Sequence, residues 1–316
     1  MTAVGAVRRR LFGIPSARAV FSRPGFAPEA WERFAPVACS LMEGYHAALE
    51  DPRLPVLAAR LEAVEPALKG FAYEGAGMGL AALDIVTPHR RRLDAFVAGP
   101  GAAHIYPVYV GVGLAHARMR RTPESQLAGL DPLLGWVTAD GQGFHEAFFK
   151  RRRYVEQHAV PTRLSRYGRR FFDQGVGRAL WFSNGAVVER VAPLIAGFPA
   201  DRHADLWSGV GLAAAYGGGA DEAGLRAVLA HAARYPAQLA RGAATAAWGR
   251  RTAGNPTAHT DLACRVFCGL GGEEAAAVVE EAARDLPVIS VEPPYEIWRG
   301  RIEDRLAVAR SRAHSA

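Results

Sequence analysis

The segment GVGLA occurs twice, at Gly111–Ala115 and Gly209–Ala213, each time two residues after an aromatic side chain (Tyr109, Trp207). Longer stretches repeat with it. GFAYEGAGMGLAAL, from Gly70, matches RFFDQGVGRALWFS, from Arg170, at an offset of 100. The stretch ending in YVGVGLA matches the one ending in WSGVGLA at an offset of 98. GQGFHEAFFKR, from Gly141, matches ARGAATAAWGR, from Ala240, at an offset of 99. A near-constant offset indicates an internal duplication, and with it a fold assembled from similar units.

A shorter period lies inside the longer one. Gly75, Gly111, Gly143, Gly175, Gly209 and Gly242 follow one another at 36, 32, 32, 34 and 33 residues. That is the length of one helix–turn–helix unit of the tetratricopeptide kind. Each unit reads as an aromatic residue, then a helix of small residues. A glycine inside a helix costs about 1 kcal/mol relative to alanine. Helices that carry several imply a neighbouring helix so close that side chains are excluded. A second, more polar helix follows in each unit. Thr87-Pro88, Thr122-Pro123 and Asp221-Glu222 read as its start signals, and Gly99-Pro100, Pro132, Pro161, Pro199 and Pro236 as stops. A dinucleotide-binding glycine loop is excluded: FAYE is no buried strand, and one cofactor has no use for six copies.

The expected fold is therefore all-α: tandem helix–turn–helix repeats of about 33–36 residues, a tetratricopeptide-like solenoid with two similar halves and irregular terminal caps. The chain is read as one domain over 1–316, with a lead-in at 1–36, a first half at 37–165, a second half at 166–285 and a C-terminal cap at 286–316. A short strand-like run is expected at 288–291.

Charge narrows the partners. The net charge is +7, yet only Lys69 and Lys150 are lysines, and the arginines are scattered among acids. That is a poor nucleic-acid surface. Cys39, Cys264 and Cys268 form no CxxC pair, so neither a disulfide framework nor a structural metal site is expected. Cys264 and Cys268 read as small residues on the buried face of a helix. No apolar run reaches the length of a membrane span, and the start is no convincing signal peptide, so a cytoplasmic location is expected.

The candidates for chemistry are few. Asp140, His145 and Glu146 form the strongest polar cluster, with Glu74 beside a glycine anchor as a fourth catalytic candidate. Against that stands the plainer reading, in which Asp140 caps a helix and Glu74 and Asp173 are first-turn acids. The aromatic residues Tyr73, Tyr109, Phe144, Trp207 and Trp248, with Asp173, are candidates for contact with a substrate or partner. Tyr45-His46 and Tyr295, Trp298 and Arg299 are read as partner-recognition residues. The basic stretches Lys150–Arg153 and Arg166, Arg169 and Arg170 are read as surfaces for an acidic partner. No metal ligand set and no cofactor is assigned.

The segments AVFSRPGF, EGYHAALE, YEGAGMGLAALD, YPVYVGVGLAHARM, LLGWVTADGQGFHEAFF, FDQGVGRALWF, HTDLACRVFCGL and YEIWRGRI resemble the DUF1702 family, from about Arg9 to Leu306. The resemblance carries no catalytic residue with it. It implies a bacterial protein accessory to an enediyne polyketide synthase. Its expected partners are that synthase or other pathway proteins, and a polyene or other small-molecule intermediate. Two functions follow: a helical-repeat protein that binds or scaffolds such a partner, or an enzyme acting on the polyene through an Asp/His/Glu site.

Overall fold

The computed structural model describes residues 2–287 and 290–315. Among these residues the chain forms α-helices and no strand. The run expected at 288–291 lies partly outside the described residues. In chain order the helices are α1 Ala3–Phe12, α2 Ala17–Phe21, α3 Pro28–Glu50, α4 Leu54–Glu62, α5 Pro66–Val86, α6 Arg92–Val97, α7 Ile105–Arg118 and α8 Val137–Phe149. They continue with α9 Arg166–Ser183, α10 Val188–Gly197, α11 His203–Gly217, α12 Glu222–His231, α13 Pro236–Thr252, α14 Ala258–Cys268, α15 Gly272–Ala282 and α16 Pro294–Ser315.

Seven long helices make the frame. α3 packs along α5, α5 along α7, α7 along α8, α8 along α9, α9 along α11, and α11 along α13. Shorter segments connect them, so successive long helices run parallel. The glycines explain how they pack. A side chain added to Gly75 would meet the Leu41 carbonyl of α3; one added to Gly77 would meet Val108 of α7. Gly111 faces Glu74 of α5 and Gly113 faces Thr138 of α8; Gly141 faces Val110 of α7 and Gly143 faces Phe172 of α9. Gly175 and Gly177 repeat this toward Asp140 and Leu206, and Gly209 and Gly211 toward Gln174 and Leu239.

Residues two apart on a helix stand about 200° from each other. A G-x-G therefore presents bare backbone to two opposite neighbours, the first glycine to the preceding helix and the second to the following one. The end helices carry one glycine each for this purpose, Gly44 facing Ala72 and Gly242 facing Ser208. At each crossing the nearest atom is a backbone carbonyl oxygen, the arrangement of Cα–H···O contacts between closely approaching helices. The register also corrects one anchor. The glycine equivalent to Gly75, Gly111 and Gly175 is Gly141, whereas Gly143 belongs with Gly77, Gly113 and Gly177.

The row folds back on itself, with α3 against α9 and α13 against the start of α5. Phe34 of α3 packs edge-on against Phe182 of α9 at 4.7 Å between centroids. The Ala27 amide donates to the Ser183 carbonyl at 2.8 Å. At the other end of the row, Asn255 donates to the Pro66 carbonyl at 3.0 Å. Arg250 donates to the Ala67 carbonyl, 3.2 Å from each terminal nitrogen. The seven helices thus wrap around a common interior.

The two ends of this interior are covered by the chain's termini. Both pieces expected to be irregular are largely helical. Thr2 and Ser16 cap α1 and α2 by accepting from the Gly5 and Ala19 amides. α16 is anchored by Trp298, whose indole N–H donates to the Val279 carbonyl at 2.8 Å. Tyr295, Trp298 and Arg299 are buried, as are Tyr45 and His46, so they serve packing and not a surface for partners. Arg170 is equally committed: it pairs with Asp205 and Glu296. Asp205 also bonds Arg241 and Arg299, which ties α16 to the starts of α9, α11 and α13.

The second segment of several units is shorter than the start signals suggest. Pro88–Arg90 and Pro123–Gly129 form only 3-10 turns. The Thr87 hydroxyl donates back to the Leu83 carbonyl and caps nothing that follows. Asp221 does cap α12, accepting from the Gly224 amide. Cys264 and Cys268 lie fully buried against α13, as expected. No described helix is long and apolar enough to cross a membrane.

Candidate functional site

The residues immediately before and after each G-x-G lie four apart, on one face of the helix. The two flanking glycines occupy the sides, so this third face turns toward the interior. It carries Glu74 and Met78 on α5, Val110 and Leu114 on α7, Asp140 and Phe144 on α8, Gln174 and Arg178 on α9, and Ser208 and Leu212 on α11. Half are apolar. The polar half gathers at mid-height.

Asp140 is fully buried and ion-paired with Arg178. Its other oxygen accepts from the Gln174 amide at 2.8 Å. Gln174 also donates to the Tyr106 hydroxyl at 3.2 Å and accepts from Ser208 at 3.3 Å. The Arg178 guanidinium lies over the Phe144 ring, 5.2 Å from its centroid, and 4.0 Å from the Glu74 carboxylate. Burial opposes the Arg178 charge, but Asp140, Glu74 and Tyr106 outweigh it and hold its pKa above the ordinary value. Glu74 has no hydrogen-bond donor among the described residues. Burial raises its pKa to about 7, a rise that Arg178 resists and Asp140 reinforces.

Glu74 and Arg178 separate two cavities. One holds about 20 Å³ and is bounded by Tyr106, Val110, Leu212, Tyr216 and Thr245. The other holds about 100 Å³ and reaches toward the C-terminal ends of the helices. Leu41, Met78, Leu114, Phe144, Phe148 and Phe182 form its walls, and Ile14, Ala17, Val20 and Phe21 its roof. His145 and the exposed Arg118 stand at its rim. His145 is buried and its Nδ1 has no partner among the described residues. Burial, then the cations Lys150, Arg118 and Arg23, lower its pKa to about 3, so the ring is neutral.

The structure brings together four of the expected residues. Glu74, Asp140, His145 and Phe144 all face the interior. Glu74 sits well inside α5, whereas Asp140 lies in the first turn of α8; both side chains are buried and neither serves as a helix cap. Glu146 turns away and pairs with Lys150 at 2.7 Å. Asp173 forms a two-oxygen pair with Arg202, 3.0 Å from Nε to each oxygen, and burial raises its pKa to about 6. Tyr73 donates to Glu62 at 2.7 Å and stacks on His104 at 3.9 Å. Tyr109 accepts from the Asp131 amide at 3.0 Å. Trp207 is buried, and Trp248 packs on Trp298 at 5.5 Å. None of these last five lines either cavity. Arg178, at the centre of the cluster, escaped the reading of the sequence. Its signal was its place three residues after Gly175, the position that Met78 and Phe144 hold after Gly75 and Gly141.

No group of three or more His, Cys, Asp or Glu side chains among the described residues could hold a metal ion. The site offers instead an apolar chamber, open at its rim, with one acid at its floor that accepts no hydrogen bond among the described residues. The family model described as "Protein of unknown function (DUF1702)" matches residues 3–306, and the chain belongs to that family. No curated protein and no solved structure matches it.

Proposed function

We propose that this DUF1702 protein is a cytoplasmic accessory protein of enediyne polyketide biosynthesis that binds a polyene, or a similarly slender apolar intermediate, inside its ring of helices. The observation that carries the binding reading is the cavity of about 100 Å³, walled by aliphatic and aromatic side chains and open at its rim. Such chambers favour small apolar ligands, with a few placed polar groups to orient them. The biosynthetic setting rests on the sequence resemblance alone. The tandem tetratricopeptide-like repeat with two similar halves belongs to the same proposal, and the recurring G-x-G crossings support it. A partner-protein scaffold is the weaker version, because the candidate residues turn inward.

A second reading is supported by Glu74. An acid poised near neutral pH, free of hydrogen-bond donors and facing an apolar chamber, suits proton transfer to or from a bound polyene. Asp140 and Arg178 would then position it.

The binding reading is tested with parinaric acid, a conjugated tetraene whose emission rises in apolar surroundings. The protein should bind it saturably. Leu114→Trp, which fills the chamber, should abolish binding while leaving the melting temperature within a few degrees. Undiminished binding by that variant would place the ligand elsewhere.

A further inference from the structure

The rim of the chamber is strongly and one-sidedly charged. Arg118 lines the chamber, is exposed, and among the described residues has only the Phe12 carbonyl as a hydrogen-bond acceptor, at 3.5 Å. Arg23 lies over the Phe149 ring at 5.0 Å. Beyond Phe148 and Phe149 an open cleft of about 380 Å³ is lined by Arg23 and by Lys150, Arg151, Arg152 and Arg153, and by no carboxylate. Lys150 and Arg151 are partly neutralised by Glu146 and Glu156. Arg23, Arg118, Arg152 and Arg153 have no carboxylate partner among the described residues. Uncompensated arginines at the mouth of an apolar chamber are an arrangement for an anion, because a guanidinium matches carboxylate and phosphate oxygens. His145 adds an independent sign. It is buried, it borders the chamber, and its Nδ1 is unpartnered. A buried polar atom of this kind calls for a ligand that completes it.

From this we infer that the chamber takes an amphiphile, an apolar chain carrying an anionic head, and that the head is held at the rim by Arg118, Arg23 and the ring of His145. The inference rests on the binding reading above and specifies its ligand. The head is a carboxylate or a phosphate monoester; both chemistries satisfy the same donors. The chain runs inward between Leu114 and Phe144 toward Glu74.

Calorimetry with octanoate, octyl phosphate and octanol separates the possibilities. At low salt at least one of the two anions should bind about tenfold or more tightly than octanol, and this advantage should shrink in about 0.5 M salt. Whichever of octanoate and octyl phosphate binds more tightly identifies the head. The double variant Arg23→Gln, Arg118→Gln alters two exposed side chains. It should bring the anions down to the affinity of octanol while octanol binding stays unchanged. Equal affinity of all three for the native protein would overturn the anionic head and leave the apolar chamber standing. Loss of octanol binding in the variant would show that the arginines support the fold of the rim rather than the head, and would also overturn it. If none of the three binds the native protein, the binding reading itself fails.

Discussion

Glu74 occupies a position where an acid is costly to keep ionised. It is fully enclosed, accepts no hydrogen bond among the described residues, and has Arg178 no closer than 4.0 Å. Its pKa rises from 4.5 to about 7 on folding. An acid raised in this way binds its proton more tightly in the native state. Its contribution favours folding below pH 4.5 and is lost as the pH climbs through 7. The loss is on the order of 3 kcal/mol. Glu74→Gln should therefore be more stable than the native protein above pH 7 and nearly equal to it at pH 4.5. Urea unfolding at a series of pH values between these limits reads the difference directly. Identical pH profiles for the two proteins would mean that Glu74 titrates normally in the fold.

At the scale of the helix, the G-x-G is the unit that matters. A glycine facing a neighbour's carbonyl oxygen cannot accept a methyl group, because both partners are backbone and neither can turn aside. Gly111→Ala, set against the Glu74 carbonyl, should destabilise by roughly 1–3 kcal/mol. Gly300 lies in α16, is exposed, and has nothing within 4 Å of the added group. Gly300→Ala should instead stabilise by up to about 1 kcal/mol. Opposite signs in thermal unfolding would separate packing from helix propensity; equal effects would remove the packing argument. The close approach itself was legible in the sequence, since several glycines in one helix demand it. The register of α8 was not. Gly141 and Gly143 are equivalent until their neighbours are known, and only the contacts to Val110 and Phe172 assign them. The pairing of Asp205 with Arg170, Arg241 and Arg299 was likewise hidden, because it joins residues far apart in the chain through a helix expected to be a loose cap.

At the scale of the molecule, one rule sets where function can lie. Two faces of each central helix are spent on glycine crossings, and the face between them looks inward. That inward face then supplies the chamber: Met78, Leu114 and Phe144 in its walls and Glu74 and Arg178 at its floor, with Asp140 and Gln174 behind them. This explains why the aromatic residues before the glycines were poor guides. Tyr73, Tyr109 and Trp207 stand two positions ahead of the first glycine and line neither cavity, whereas Phe144, one position after the second, enters the chamber. The most direct measurement is a crystal structure of the protein with bound parinaric acid. Density for the tetraene is expected between Leu114 and Phe144, its carboxylate at Arg118 and its tail toward Glu74. Density confined to the outer surface, with the chamber empty, would contradict that placement.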